Sequence, residues 1–311
     1  MALVIKFPNP PGVPDGVQGP LAVGESSSRT DKESRAIIPL PAGGISKGHT
    51  VDANRIQALA GMLIDAEKNV KPVDPLTGEF PEMPLADAYA VQMAGVKAKV
   101  AAGARIVGKK VGLTSRAMQD MLGVSEPDFG HLYADMVFEE TVPVAMSRFL
   151  QPKIEAELAF VMGEDVTGPG VTSVDILRTT AAVVPSFEVI DSRIADWKIK
   201  IQDTVADNGS SGGFVLGSQL MPVDAVNLKY VGLVLEKNGQ ILDTAAGAAI
   251  LGHPAQSVAW LANALGAIGV PLKKGEIVLS GSFTKAYPVA AGDVFTATFG
   301  GLGSVSISFK A

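Results

Sequence analysis

The sequence predicts an α+β chain in which a small helix-rich N-terminal region precedes a larger β-rich domain. Two amphipathic helical stripes fall within residues 49–143, while strand-like alternation with glycine-rich turns dominates residues 144–311. Residues 1–48 stand apart, because more than a quarter of them are Pro or Gly. That composition predicts a disordered arm, either a solubilising tail or a segment that clasps a neighbouring subunit.

Order is expected to begin near Asp52. Ile56, Leu59, Ala60, Leu63 and Ile64 recur at helical spacing, and Asp52 or Thr50 can cap this helix by accepting a backbone N–H. A second helix is expected over residues 85–102, with Leu85, Ala88, Tyr89, Gln92, Val96 and Val100 on one stripe and Gly103 placed to end it. A strand follows over 106–113 and a brief helix over 115–122. Farther on, Lys153–Met162 alternates cleanly, as do Val294–Phe299 and residues 304–309, the last two joined across Gly300 and Gly301 as a hairpin. Helices are expected at 173–182 and 254–268, where Pro254 suits a first helical position and Gly269 suits the stop.

Composition removes several classes of function. Apolar residues make up 47% of the 311, yet no run approaches the roughly 18 uninterrupted apolar residues of a membrane-spanning helix. A net charge of -6 with both signs scattered argues against a nucleic-acid partner, whose phosphates demand a concentrated basic surface, and favours a small-molecule ligand. The absence of cysteine excludes disulfides, thiolate zinc sites and cysteine nucleophiles. His49, His131 and His253 lie too far apart in sequence for an HExxH-type zinc site, so any metal must be ligated by oxygen. The opening apolar stretch is short and runs into prolines, unlike a secretory signal, so a soluble, cytoplasmic protein is expected.

The segment KIEAELAFVM carries the most chemical information. A strand sends alternate side chains to opposite faces, so Ile154, Ala156, Leu158, Phe160 and Met162 point into a core while Lys153, Glu155 and Glu157 point the other way. Two carboxylates on one strand face lie about 7 Å apart at their α-carbons, close enough to converge on one cation. A solvated strand face is the plainer alternative. Against it, Ala159 and Val161 continue the same face, which places the glutamates at a partly buried end where acidic pairs need a counter-charge. Glu188 lies within a second apolar, strand-like run, VVPSFEVIDSR. Three glutamates with open remaining positions suit a hard octahedral ion such as Mg²⁺ or Mn²⁺.

Two other motifs carry less. Gly209-Ser210-Ser211-Gly212-Gly213 matches G-x-S-x-G, but a nucleophile elbow needs a strand before it and a helix after it, and neither is expected here. Gly108-Lys109-Lys110 lacks the spacing of a phosphate loop. On an alternating strand Lys109 and Lys110 face opposite ways, so one can point to solvent while the other enters a site.

The segments GKKVGLTSRAMQDMLGVSEPDFGHLYADMVF, QPKIEAELAF, FEVIDSRIADWKIKIQDTVADN, AAGAAILGHPAQSVAWLANALG and VLSGSFT resemble the 2-hydroxypenta-2,4-dienoate (2-oxopent-4-enoate) hydratases of aromatic meta-cleavage pathways. That family belongs to the fumarylacetoacetate hydrolase superfamily and is related to the 4-oxalocrotonate decarboxylases. The resemblance spans residue 80 to the C-terminus; residues 1–48 have no counterpart in it. It implies a fumarylacetoacetate hydrolase-like mixed β-roll that carries the active site beside the N-terminal helices. It also implies Glu155, Glu157 and Glu188 as ligands of Mg²⁺ or Mn²⁺, Lys110 as the active-site lysine, and Asp128 of EPDFG as the nearby acid. Asn208, Ser282 and Thr284 fall in motifs that line the substrate pocket, and homo-oligomers, often pentamer-based, are the implied assembly. The implied activity is water addition to a 2-hydroxydienoic acid, giving a 4-hydroxy-2-oxo acid. The alternatives are a 4-oxalocrotonate decarboxylase, which AAGAAILGHPAQSVA resembles as much, a carbon–carbon bond hydrolase of the same superfamily, or a non-catalytic partner subunit of such enzymes. Asp128 favours the hydratase branch.

Overall fold

A computed structural model describes residues 51–115, 119–120 and 123–311. The expected N-terminal arm, Thr50 as a cap, and most of the expected helix over 115–122 lie outside the described residues.

Helix α1 (Ala53–Asn69) begins where Asp52 accepts the Arg55 N–H at 3.0 Å and buries Ile56, Leu59, Ala60 and Leu63, the stripe expected from spacing. A one-turn helix α2 (Leu76–Glu79) leads to α3 (Leu85–Ala101), which ends before Gly103, a residue at φ +98°. The first strands follow directly: β1 (Ile106–Gly112) and β2 (Asp128–Tyr133), antiparallel to one another. Short strands β3 (Val137–Phe138) and β4 (Val144–Ala145) lead to β5 (Lys153–Met162), whose bounds match the alternation in the sequence.

The helix expected over 173–182 is shorter. Helix α4 (Ser173–Thr179) is capped by Thr172, and β6 (Thr180–Ile190) starts at once. The hydroxyls of Thr179 and Thr180 donate to the carbonyls of Asp175 and Ile176. These bonds close the helix, and the β-branched Val183, Val184, Val189 and Ile190 beyond suit a strand paired along its length with β5. A further helix, α5 (Ile201–Ala206), was not expected from spacing; it offers too few turns for a periodic stripe. After it come β7 (Ser211–Leu216), β8 (Gly232–Lys237) and β9 (Gln240–Ala246). Helix α6 (Pro254–Gly266) starts at Pro254 as expected and stops short of Gly269, at φ +75°. Strands β10 (Ile277–Ser282), β11 (Tyr287–Pro288), β12 (Val294–Phe299) and β13 (Gly303–Lys310) complete the chain, β12 and β13 forming the expected hairpin.

The strands form two sheets. One is eight-stranded, in the order β2-β1-β10-β5-β6-β7-β3 with β11 on β5; the other is five-stranded, in the order β4-β13-β12-β8-β9. The larger sheet is mixed, since β1 runs parallel to β10 while β10, β5, β6 and β7 alternate. It therefore joins strands from both the 49–143 and the 144–311 regions. Period-2 alternation divides its two faces. Ala156, Leu158, Phe187 and Val189 share a core with Phe295, Ala297, Val305 and Ile307 of the smaller sheet. The opposite face curls into a roll, and Asn208 ties its edges: its side-chain oxygen accepts the His131 N–H and its amide donates to the His131 carbonyl. Leu132, Ala159, Val184, Phe214 and Leu279 form an apolar plug on this inner face.

Helices α1, α3 and α5 bury a separate cluster that includes Leu59, Leu63, Val91 and Val205. The Gln92 amide pins this layer to the roll by donating to the Phe129 and Val205 carbonyls. No helix among the described residues is long and apolar enough to cross a membrane.

Candidate active site

The inner face of β5 runs from charged to apolar. Lys153 and Glu155 are partly exposed, Glu157 is buried, and Ala159 enters the plug. Across the ladder Glu155 faces Glu188 of β6, and Glu157 faces Ser186. Carboxylate oxygens of Glu155, Glu157 and Glu188 lie within 4.8 Å of one another. One Glu157 oxygen accepts the Gly281 N–H at 2.8 Å, while its other oxygen and both Glu188 oxygens are buried without a hydrogen-bond partner. Buried anionic oxygens without donors are costly. Two such carboxylates converging with the partly exposed Glu155 fit a hard divalent cation, which takes oxygen ligands and neutralises them.

The protein supplies one cation of its own. Lys110 projects from β1 and places Nζ 3.5 Å from Glu188 Oε2. Burial alone would lower its pKa, but Glu188, Asp128, Glu155 and Glu157 outweigh burial and hold the ammonium above its ordinary value. The acids move upward. Burial raises Glu188 to about 7 against the pull of Lys110, and burial together with Glu188 and Glu155 raises Glu157 well above the usual carboxylate range. Asp128, at the start of β2, is also raised by burial, with Lys110 opposing the shift.

Local backbone features build this geometry, and spacing alone did not single them out. Gly112 pairs with Asp128 across β1 and β2, and a Cβ on Gly112 would stand 2.0 Å from Asp128 Oδ1. A glycine there leaves room for the acid beside the Lys110 chain. In β10 the register shifts between Leu279 and Ser282, and within this bulge Gly281 adopts φ +105°. Its N–H is thereby turned to Glu157, and a Cβ would meet Thr114 Oγ1 at 2.2 Å.

A cavity of about 330 Å³ opens onto this cluster, within the usual range for small-ligand sites. Lys110, Asp128, Glu155, Ser282 and Thr284, all expected at the site, line it. Glu157 and Glu188 sit just beneath. Asn208 does not line the cavity; its amide is taken up by the His131 backbone, and the neighbouring Gly209 and Ser210 reach the wall instead. Lys109 is not the solvent-facing partner of Lys110. It is buried on the outer face of β1, where its ammonium contacts Glu276 at 2.5 Å. The G-x-S-x-G run follows α5 and enters β7, so it forms no nucleophile elbow.

A mixed β-roll with a largely buried three-carboxylate cluster beside a lysine defines a class of small-molecule sites able to hold a hard cation. Residues 102–309 match the family described as fumarylacetoacetate (FAA) hydrolase, C-terminal. A 2-hydroxyhexa-2,4-dienoate hydratase of Comamonas testosteroni is 45% identical over 260 residues, covering 83% of this chain and 98% of that protein. A 2-hydroxypent-2,4-dienoate hydratase of Pseudomonas putida is 48% identical over 222 residues, covering 71% of this chain and all of that one. The solved 4-oxalocrotonate decarboxylase of Pseudomonas putida G7, complexed with magnesium and adipate, superimposes with a TM-score of 0.82 at 41% identity, covering 84% of this chain and 100% of that one. The chain belongs to the fumarylacetoacetate hydrolase family.

Proposed function

We propose that this chain is a divalent-metal-dependent hydratase that adds water to 2-hydroxypenta-2,4-dienoate or a longer homologue, giving a 4-hydroxy-2-oxo acid. The carrying observation is the placement of Lys110 and Asp128 in one cavity with the three-glutamate cluster. The likeness to two dienoate hydratases supports the reading.

Glu155, Glu157 and Glu188 would hold the cation, Mg²⁺ or Mn²⁺. When bound, such an ion would supply a Lewis acid able to stabilise negative charge that builds on a substrate oxygen. The protein's own groups then have distinct tasks. The substrate's 2-hydroxyl loses its proton while carbon 5 gains one, which yields a conjugated 2-oxo-3-enoate. Water then bonds to carbon 4 and carbon 3 takes up a proton. Lys110, kept charged by four carboxylates, holds negative charge and relays a proton. Asp128, shifted by burial toward its protonated form, is the second proton carrier, and Gly112 leaves it room beside Lys110. Ser282 and Thr284 complete the substrate wall.

Decarboxylation of 4-oxalocrotonate type is the second reading, favoured by the likeness to the decarboxylase. One experiment separates them. The purified, Mg²⁺-loaded chain is given 2-hydroxypenta-2,4-dienoate and 4-oxalocrotonate, dienoate absorbance is followed, and products are identified by mass. Formation of 4-hydroxy-2-oxopentanoate supports the hydratase, CO₂ release from 4-oxalocrotonate alone replaces it with the decarboxylase, and full turnover in a demonstrably metal-free preparation refutes the metal assignment. The reading carries with it a cytoplasmic homo-oligomer, which light scattering on the purified chain tests for assembly.

A further inference from the structure

Lys153 lies on the inner face of β5 two residues before Glu155, and therefore about 7 Å from it toward the cavity mouth. The two lysines of β1 are committed: Lys110 pairs with Glu188 and Lys109 with Glu276. Lys153 makes no ion pair with any of the described residues; its ammonium rests 4.0 Å from the centre of the Trp197 ring, and the pair lines the cavity together.

That ring is held in place. Asp196 and Trp197 both adopt left-handed backbone, at φ +57° and +54°, a conformation that side-chain-bearing residues rarely take and that collects at ligand clamps. The Trp197 indole N–H donates to the Gln151 carbonyl at 2.9 Å, and the Gln151 amide donates in turn to the carbonyls of Ser192 and Ile194. A strained turn and a chain of hydrogen bonds thus fix an aromatic face over a lysine that feels the charge of Glu155 but is not locked to it in an ion pair. Cation–π contact orients an ammonium but leaves its N–H donors available to an anion.

Resting on the reading that the glutamate cluster holds a cation chelated by a 2-oxo acid, we propose that Lys153 binds the substrate's carboxylate, taking the oxygen that faces the cavity mouth. Trp197 is the positioning residue that aims it. The contact sets the direction in which the substrate lies: with the carboxylate at Lys153, the carbon chain is left to Lys110 and Asp128. Lys285, also on the rim, is exposed and stacks on Tyr287 instead, so its charge is free of this task.

The test uses 2-oxopentanoate, a saturated 2-oxo acid that cannot react, titrated into the Mg²⁺-loaded full chain, with Mg²⁺ binding measured separately. A hydrogen bond to a charged group is worth about a 10- to 100-fold change in affinity. Lys153→Met is expected to weaken 2-oxopentanoate binding by that factor and leave Mg²⁺ affinity unchanged. Lys153→Arg should recover most of the loss, and Lys285→Met should cause little. A Lys153→Met chain that binds 2-oxopentanoate as tightly as wild type, or an equal loss in Lys285→Met, overturns the assignment. If the wild-type chain binds 2-oxopentanoate equally with and without Mg²⁺, the metal reading itself falls, and that outcome is distinct from a wild-type response that Lys153→Met fails to alter.

Discussion

Glu155 of β5 and Glu188 of β6 stand directly opposite one another in an antiparallel ladder, and Glu157 extends the same buried face. Like charges placed opposite each other destabilise a sheet, and burial sharpens the repulsion. Lys110 offsets part of it; a divalent cation would offset the rest. On the proposed reading, the fold gives up stability at this point for a site that a cation would complete.

The first prediction follows from that tension. Glu157→Gln replaces an ionisable carboxyl by a neutral amide whose oxygen can still accept the Gly281 N–H. Metal affinity should fall at least tenfold, yet the metal-free protein should melt at the same temperature as wild type or higher. Saturating Mg²⁺ at about 100 times its Kd should stabilise the wild type by about 2.7 kcal/mol and the variant by much less. Calorimetric melting with and without Mg²⁺ measures both, and wild-type metal affinity in the variant would remove Glu157 from the ligand set.

Lys109 calls for a different outcome from Lys110. Its side chain is 3% exposed and that of its partner Glu276 is 13% exposed, so Lys109→Met leaves a nearly buried carboxylate without its cation. Breaking such a pair costs about 3 kcal/mol or more. Urea unfolding should show that loss, while kcat per folded molecule stays within a few-fold of wild type. A large fall in kcat with unchanged stability would place Lys109 in the chemistry.

Much of this was legible in the sequence, for reasons that differ by residue. Period-2 alternation alone put Glu155 and Glu157 on one face of a strand opposite Ile154, Ala156 and Leu158, and β5 has that arrangement. Lys110 and Asp128 were reached through resemblance, because nothing in local spacing says that β1 pairs with β2 on one side and with β10 on the other. Asn208 was expected in the pocket wall, but the sequence carries no trace of the long-range pairing by which its amide joins the His131 backbone. The same limit applies to Lys109: alternation separated it from Lys110, but a face turned away from the site can still be buried, and Glu276 lies 167 residues away.

His131 provides a pH prediction away from the metal cluster. Burial first, and Lys109 second, depress its pKa from 6.5 to about 4, and its Nδ1 is buried without a partner. Between those values the unfolded imidazole binds a proton that the folded one refuses, so stability rises with pH there. The contribution is fully present above pH 6.5 and is lost as pH falls toward about 4, to the extent of about 3 kcal/mol at most. His131→Phe keeps a ring against Phe129 and removes the titrating group. The difference in unfolding free energy between wild type and His131→Phe should therefore shift with pH across this window, and a constant difference would show that the imidazole does not titrate on unfolding.

The last prediction concerns the space that Gly112 leaves for Asp128. A positioned acid or base contributes about 10² to 10⁴ in rate, so Lys110→Met and Asp128→Asn should each lower kcat within that range. Asp128→Asn should disturb binding less than turnover, because a 2-oxo acid would be held chiefly through the cation. Gly112→Ala changes neither proton carrier chemically. Its new methyl group would stand 2.0 Å from Asp128 Oδ1 and 3.1 Å from Lys110 Nζ, too close for either to keep its place. If the placement of these two groups carries the chemistry, Gly112→Ala should reproduce much of the kcat loss of Asp128→Asn while Mg²⁺ affinity stays near normal. Combining it with Asp128→Asn should cost little more, because both changes remove the same contribution. A Gly112→Ala enzyme with unimpaired kcat, or an additive loss in the double variant, would mean that Asp128 works from some other position. If Lys110→Met and Asp128→Asn both raise KM and leave kcat alone, these residues bind substrate and do not move protons.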